Sequence, residues 1–355
     1  MTAIDSATEP AAAGPAATAR TTTEILTGAR DLVAPALREA ADGLPEPMRR
    51  IAGYHFGWCD AEGRPASEDG GKALRPALVL LAAEAVGGTA RAALPAAVAV
   101  ELVHNFSLLH DDVMDGDTTR RHRPTAWSVF GPSPAVLAGD ALLTLAFEVL
   151  AADGCPRAAE AGRMLGAAVQ ALVGGQAADL SFERRSDVDL AECTTMACGK
   201  TGALLGCCTA LGALLGGAEP DRVDALRDFG ADLGLAFQIT DDLLGIWGDP
   251  AATGKPVHSD LRSRKKSLPV VAALTSGTDA GERLGVLLAG EEPMTDEAAA
   301  HAAELVEAAG GRAWCDERAE ELLERSSASL DSAALREAPR EELAALARLA
   351  AHRDG

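Results

Sequence analysis

Strand-forming residues are what this chain has least of. Its 355 residues include one tyrosine, seven phenylalanines and four tryptophans. Runs of β-branched and aromatic residues are scarce, and no strand–helix–strand alternation appears, which excludes a sheet-based fold. Positive charge is also in deficit: 32 Lys and Arg stand against 53 Asp and Glu, a net charge of −21. Such a surface repels phosphate backbones and anionic headgroups, which excludes nucleic acid as a partner. Seven cysteines are present without zinc-like spacing; Cys193 and Cys198 are five apart, and Cys207 and Cys208 adjoin. They read as reduced thiols of a cytoplasmic protein. Met1 to Arg20, rich in Ala, Pro and Thr, lacks the basic start and apolar centre of a signal peptide and reads as a disordered tail. Apolar stretches such as Val98 to Leu109 are short or interrupted, so no membrane-spanning segment is expected.

What the chain has in quantity is alanine and leucine, both strong helix formers. Ile25, Leu26, Leu32, Val33 and Leu37 recur at helical spacing until Gly43 and Pro45 end the run. A polar loop covers Trp58 to Gly71, and a helix carrying Leu74, Leu78, Leu81 and Ala85 stops at Gly87-Gly88. A long helix is expected from about Ala92 to Met114, then a polar loop from Gly116 to Pro124. Further helices are expected over Pro134–Ala152, Ala158–Phe182, Leu190–Cys198, Thr201–Leu215 and Arg222–Trp247, with a second polar loop from Gly248 to Lys266. No linker divides the middle and no fixed-period repeat appears. The sequence therefore reads as one all-α domain over residues 21–355.

Two of these helices end in paired aspartates. The first end reads Asp111, Asp112, Val113, Met114, Asp115; the second reads Asp241, Asp242, Leu243, Leu244, Gly245. Carboxylates one turn apart share a face and repel unless a cation holds them. Magnesium binds one or two such oxygens together with substrate phosphates. His104 and Ser107 fall on the Asp111 stripe, whereas His110 lies off it and reads as structural.

Basic clusters flank the acids. Lys72 and Arg75 open a helix, where free N–H groups favour phosphate, although the glycine spacing is not that of a Walker loop. Arg120, Arg121 and Arg123 follow the first acidic end. Lys200 and Thr201 open another apolar helix, Gln238 precedes Asp241 by three residues, and Lys255, Asp260, Lys265 and Lys266 populate the second loop. Acids to hold metal, ringed by bases to hold phosphate, are what two diphosphates placed side by side require.

In this order the motifs GKALRP, HNFSLLHDDVMDGDTTRRHRP, GGQAADL, GKTGALL, FQITDDLLGIWGDPAATGK and DLRSRKKSLP resemble the trans-polyprenyl diphosphate synthase family, over roughly residues 30 to 350. The resemblance implies an isoprenoid synthase bundle of long helices around a deep central cavity. It implies that Asp111, Asp115 and Asp241 contact magnesium, three ions in all, on an allylic diphosphate (dimethylallyl, geranyl or farnesyl). Asp112 and Asp242 would support them through water. Arg120, Lys200 and Lys255 would hold the allylic diphosphate. Lys72, Arg75, His104 and Arg121 would hold isopentenyl diphosphate, Lys265 would also bind substrate, and Thr201 and Gln238 would border the carbocation. A homodimer is implied as well.

Phe106 and Ser107, five and four positions before Asp111, lie roughly 6–8 Å deeper along the helix. With one bulky residue there and a small one beside it, the pattern resembles family members that make geranylgeranyl diphosphate, with farnesyl diphosphate as the alternative. Two departures stand out. Gly245 takes the place of a frequent third aspartate, for which Asp249 could partly substitute, and His122 stands where glycine is frequent. Two rival readings are a class I terpene cyclase and a non-catalytic partner subunit. Lys72, Arg75 and the Asp241-Asp242 pair weigh against the first, and retention of both acidic motifs against the second.

Overall fold

A computed structural model describes residues 19–66, 71–152, 157–250, 256–290 and 292–351. Within them the chain is helical apart from one short hairpin and an isolated bridge. Helices α1 (Thr22–Asp42), α2 (Glu46–His55), α3 (Leu74–Ala85) and α4 (Ala90–Asp115) lead into the hairpin β1 (Thr119–Arg120) and β2 (Arg123–Pro124). Then follow α5 (Ala126–Phe130), α6 (Pro132–Ala152), α7 (Ala158–Phe182), α8 (Leu190–Ala197), a π-turn over Cys198–Gly202, α9 (Ala203–Leu215) and α10 (Pro220–Trp247). Six further helices follow among the described residues: α11 (Ser259–Arg262), α12 (Leu268–Leu274), α13 (Asp279–Leu288), α14 (Asp296–Ala308), α15 (Gly311–Ser332) and α16 (Glu337–Ala351).

Local chemistry sets the boundaries. Thr21 caps α1 and forms a capping box with Glu24. Thr89 caps α4, which starts at Ala90, two residues before the expected start, and Gly116 ends that helix in the left-handed region at φ 69°, directly after Asp115. Pro220 occupies the first turn of α10. The helix α2 falls in a stretch that the sequence reading left unassigned. The Gly116–Pro124 loop folds into the hairpin, and the Gly248–Lys266 loop contains α11.

The layout follows from which helices are apolar all round. In α9 every residue from Leu204 to Leu214 is buried, so it cannot be a surface helix and instead runs through the centre, packed by α3, α4, α7 and α10. Alanines let its neighbours close in: Ala82, Ala83, Ala96, Ala97 and Ala99 have no exposed surface. Leu78, Leu102, Leu142, Leu205, Leu211 and Phe229 fill the spaces between. Burying each such side chain stabilises the fold by roughly 1.5–3 kcal/mol.

Two expectations are modified. By length and composition Ala90–Asp115, Pro132–Ala152 and Leu190–Leu215 are apolar enough to cross a membrane. The sequence reading looked for uninterrupted apolar runs and passed over them; here they are elements of the bundle. Residues 1–18 lie outside the described residues, but Arg20, assigned to the tail, is fastened. Its guanidinium lies 2.7 Å from Glu342 on α16 and 2.6 Å from Glu84 on α3, and Glu342 is buried. The described cysteines are free thiols.

Candidate active site

Asp111 and Asp115 lie on one face at the C-terminal end of α4, the end where the helix dipole is negative. Crowding follows. Burial pushes the Asp111 carboxyl up to about 6; nearby Lys200 opposes the shift and Asp115 adds to it. Burial raises Asp115 too, with Lys200 opposing and the carboxylates of Asp117 and Asp179 reinforcing the shift. Asp112, one residue along the helix, points elsewhere. It is 1% exposed, and its Oδ1 lies 2.7 Å from both Nε and Nη2 of Arg120, while Oδ2 has no hydrogen-bond partner. Its work is therefore to hold Arg120.

The second acidic end is built alike. Asp242 is 2% exposed and accepts hydrogen bonds from Gln238 Nε2 at 2.8 Å and the Leu268 amide at 2.9 Å, with Lys265 Nζ at 3.9 Å. Burial drives its carboxyl up to about 6, with Lys265 opposing and Asp260 reinforcing the shift. Asp241, half-buried, precedes it on α10. Burial lowers the Lys265 pKa, but the carboxylates of Asp242, Asp260, Asp179 and Asp115 outweigh it and hold the ammonium above its ordinary value. Lys265 thus feels carboxylates of both acidic ends.

Lys200 and Thr201 reach this gap because three helices meet at the π-turn. A side chain on Gly175 of α7 would overlap the Lys200 backbone, and a Cβ on Gly234 of α10 would come within 2.6 Å of Gly202 Cα. Only glycine permits both approaches. From that crossing Lys200 reaches one way to Asp179 Oδ2 at 2.6 Å. Thr201 reaches the other way, donating to Gln238 Oε1 at 2.5 Å. The Thr201–Gln238–Asp242 chain fixes the amide orientation of Gln238: its oxygen accepts and its nitrogen donates.

The bases near α3 form a second cluster. The hairpin turn places Arg121 and His122 at φ 51° and 62°, positions of a two-residue turn that glycine or asparagine usually fill. His122 therefore adopts the glycine-like backbone directly, at a cost of about 1–3 kcal/mol. The turn lays the Arg121 guanidinium against Gly71, just before α3. The chain's one tyrosine anchors this hairpin: Tyr54 donates to the Pro124 carbonyl at 2.8 Å, and Arg123 stacks on its ring. Burial and the nearby Arg75, Arg121 and Arg120 hold His104 well below the ordinary histidine value, so its imidazole is neutral. Lys72 stands exposed at the rim.

Of the site residues expected from sequence, Asp111, Asp115, Asp242, Lys200, Thr201, Gln238 and Lys265 converge in one gap. Arg75, His104 and Arg121 form the adjoining basic cluster, and Arg120 acts on both Asp111 and His104. Lys255 lies outside the described residues. Ser107 turns its hydroxyl to the His104 carbonyl, and Phe106 stacks edge-on against His110. His110 bonds the Val136 carbonyl, as its structural reading required. Asp249 stands exposed beyond the end of α10.

Sequence reasoning missed Asp179, although it lies within the GGQAADL motif and its carboxylate was a visible signal. It also missed the chain from His55 through Asn105 to Glu101. His55 Nε2 lies 3.1 Å from Asn105 Oδ1, and Asn105 donates to Glu101 Oε1 at 3.1 Å. Burial, then Arg120 and Arg121, push His55 down to about 3. Glu101 and Asn105 stand one turn apart on α4, but no spacing ties His55 to them.

The polyprenyl synthetase sequence profile matches residues 58–306. The chain belongs to the polyprenyl synthetase family. It is a trans-prenyltransferase with the all-α isoprenoid synthase fold. It is 51% identical over 303 residues to (2E,6E)-farnesyl diphosphate synthase of Mycobacterium tuberculosis, covering 84% of each chain. It is 47% identical over 311 residues to geranylgeranyl diphosphate synthase of the same organism, covering 87% of this chain and 89% of that one. A polyprenyl synthetase crystal structure from Streptomyces coelicolor superposes with a TM-score of 0.89 at 51% identity, covering 93% of this chain and 99% of that one.

Proposed function

We propose that this polyprenyl synthetase joins isopentenyl diphosphate head-to-tail to allylic diphosphates with magnesium, and releases mainly geranylgeranyl diphosphate. The observation that carries the reading is the paired layout. A carboxylate-lined gap with Lys200 and Lys265 adjoins a separate basic cluster of Arg75, Arg121 and neutral His104. One diphosphate fits each.

The donor set suits magnesium. Asp111 and Asp115 are hard oxygen donors whose burial, reinforced by neighbouring carboxylates, raises their pKa, a penalty that a divalent cation relieves. Among the described residues no group of three or more His, Cys, Asp or Glu side chains could hold a metal ion alone. Each magnesium ion would therefore be shared between one or two carboxylates and substrate phosphate. Asp111, Asp115 and Asp241 would hold it, and when bound it neutralises charge on the leaving diphosphate.

The chain's own groups do the rest. Lys200 and Arg120, preset by Asp179 and Asp112, face the leaving group and stabilise the charge it gathers as the carbon–oxygen bond breaks. Thr201 and Gln238 border the resulting allylic cation with oxygen dipoles. Arg75, Arg121, Lys72 and His104 hold isopentenyl diphosphate so that its double bond attacks that cation. No side chain stands out as a dedicated base, and the released diphosphate takes the proton.

Product length rests on α4. Ser107 lies one turn below Asp111 on nearly the same face, whereas Phe106 is rotated away and leans on His110. A small residue directly below Asp111 leaves room for a chain beyond fifteen carbons. We further propose a cytoplasmic homodimer joined through α6, where the apolar Leu137 is 56% exposed. A monomer mass in light scattering at micromolar concentration would reject the dimer. The deciding assay incubates purified protein with magnesium, isopentenyl diphosphate and each allylic diphosphate in turn. Hydrocarbon from one substrate alone would indicate a cyclase, and no turnover a partner subunit.

A further inference from the structure

Position 245 lies one turn beyond Asp241 on the same face of α10, so a carboxylate there would join the second acidic end. The residue is glycine, and its side-chain space is taken. A Cβ on Gly245 would overlap the Asp260 carboxylate, lying 2.5 Å from its Cγ and 2.7 Å from its Oδ1. Real Cβ atoms do not approach so closely, so this seat admits no side chain while Asp260 is in it.

The loop is strapped down at the same point. Ser259 donates to the Gly245 carbonyl at 3.2 Å, and the His258 amide donates to Ile246 O at 3.2 Å. Asp260 in turn seats the lysine that faces both acidic ends. Its backbone carbonyl accepts from the Lys265 amide at 2.9 Å and from Ser263 Oγ at 3.1 Å. Its carboxylate acts electrostatically on both Asp242 and Lys265.

We propose that Asp260 supplies from the loop the third carboxylate of the second acidic face, with Gly245 as its seat. It is a positioning residue: it sets Lys265 against Asp242 and completes the charge presented to the cation and its diphosphate. The assignment deepens the function proposed above and rests on it. It requires the two positions to be exchangeable, so that a carboxylate lost from 260 can be restored from 245.

The test measures magnesium-dependent binding of geranyl S-thiolodiphosphate, an unreactive allylic analogue, by calorimetry, with thermal melting alongside. The proteins are wild type, Asp260→Asn, Asp260→Ala, Gly245→Asp and the double variant Gly245→Asp with Asp260→Ala. Losing a residue that positions metal-site groups weakens metal-dependent binding by roughly tenfold to a hundredfold, and that loss is expected for both single changes at 260. Gly245→Asp alone should weaken binding and lower the melting temperature through overlap with Asp260. The double variant should recover most of both losses. Asp260→Asn binding as wild type does overturns the assignment. So does a double variant that fails to fold or binds no better than Asp260→Ala. A wild-type protein that binds no analogue at all strikes instead at the function proposed above.

Discussion

Asp112 Oδ1 lies 2.7 Å from both Nε and Nη2 of Arg120, eight residues along the chain and across the Gly116 turn. Adjacent aspartates therefore do different work: Asp111 faces the gap, and Asp112 locks an arginine. Asp112→Ala should lower stability by about 1.5–3 kcal/mol, the cost of a charged hydrogen bond lost at a buried site. It should also reduce turnover through a loosened Arg120. Asp111→Ala should abolish most turnover and leave the fold intact. Melting curves beside steady-state rates separate the two, and equal melting losses would contradict the division of labour.

Acid should act on the gap in two opposite ways. Asp111 titrates near 6 in the folded protein, against 3.8 for the ordinary group. Between those values the folded state binds a proton that the unfolded chain does not. This contribution to stability is present at low pH and is lost as pH rises through about 6. Buried His55 works in the other direction, since its folded value of about 3 lies below the ordinary 6.5. The informative quantity is therefore the difference between wild type and Asp111→Asn without magnesium: wild type should gain relative stability as pH falls from 7 to 5. The magnesium concentration for half-maximal rate should rise over that same range. A flat magnesium requirement from pH 7 to 5 would remove Asp111 from the metal site.

The basic cluster should be separable from the acidic gap. Arg75→Ala and His104→Ala should raise KM for isopentenyl diphosphate by roughly tenfold to a hundredfold, the value of one charge-assisted contact, and change allylic affinity less. Steady-state kinetics with each substrate varied in turn reads this. An effect confined to the allylic substrate would reverse the assignment of the two sites.

Product length should respond to the face of α4 below Asp111. Ser107→Phe places a ring there and should shorten the product to fifteen carbons. Phe106→Ala should lengthen the product or leave it unchanged, because that ring leans on His110. Chromatography of the dephosphorylated alcohols decides. A fifteen-carbon alcohol dominating from the unaltered enzyme with ample isopentenyl diphosphate would overturn the twenty-carbon proposal.

The helices were legible because alanine and leucine leave no other regular structure open to them, and α10 ends at Trp247 as expected. The aspartates were legible because carboxylates at helical spacing are costly without a purpose. Asp112 and Asp242 were read as metal supports, since spacing cannot show that a buried side chain has turned toward a neighbouring arginine or amide. Asp179 was in view inside a motif, but its role depends on Lys200, twenty-one residues away on another element. Periodicity carries no information about such pairs. The two histidine–arginine neighbourhoods and the Gly245–Asp260 contact likewise arise only when separate helices close on each other.

The π-turn gives the catalytic helix a phase. The Ala203 amide bonds the carbonyl of Cys198, five residues back, where an ordinary helix would reach back four. That single extra residue lets consecutive side chains, Lys200 and Thr201, serve opposite walls of the gap. Removing one residue there would leave a regular and perfectly foldable helix. Yet everything on one side of the cut would turn by about 100°, and either the ammonium or the hydroxyl would face away from its partner. The mildest edit to the backbone ladder would thus be among the most damaging to the chemistry, and a screen that scored only folding would pass it.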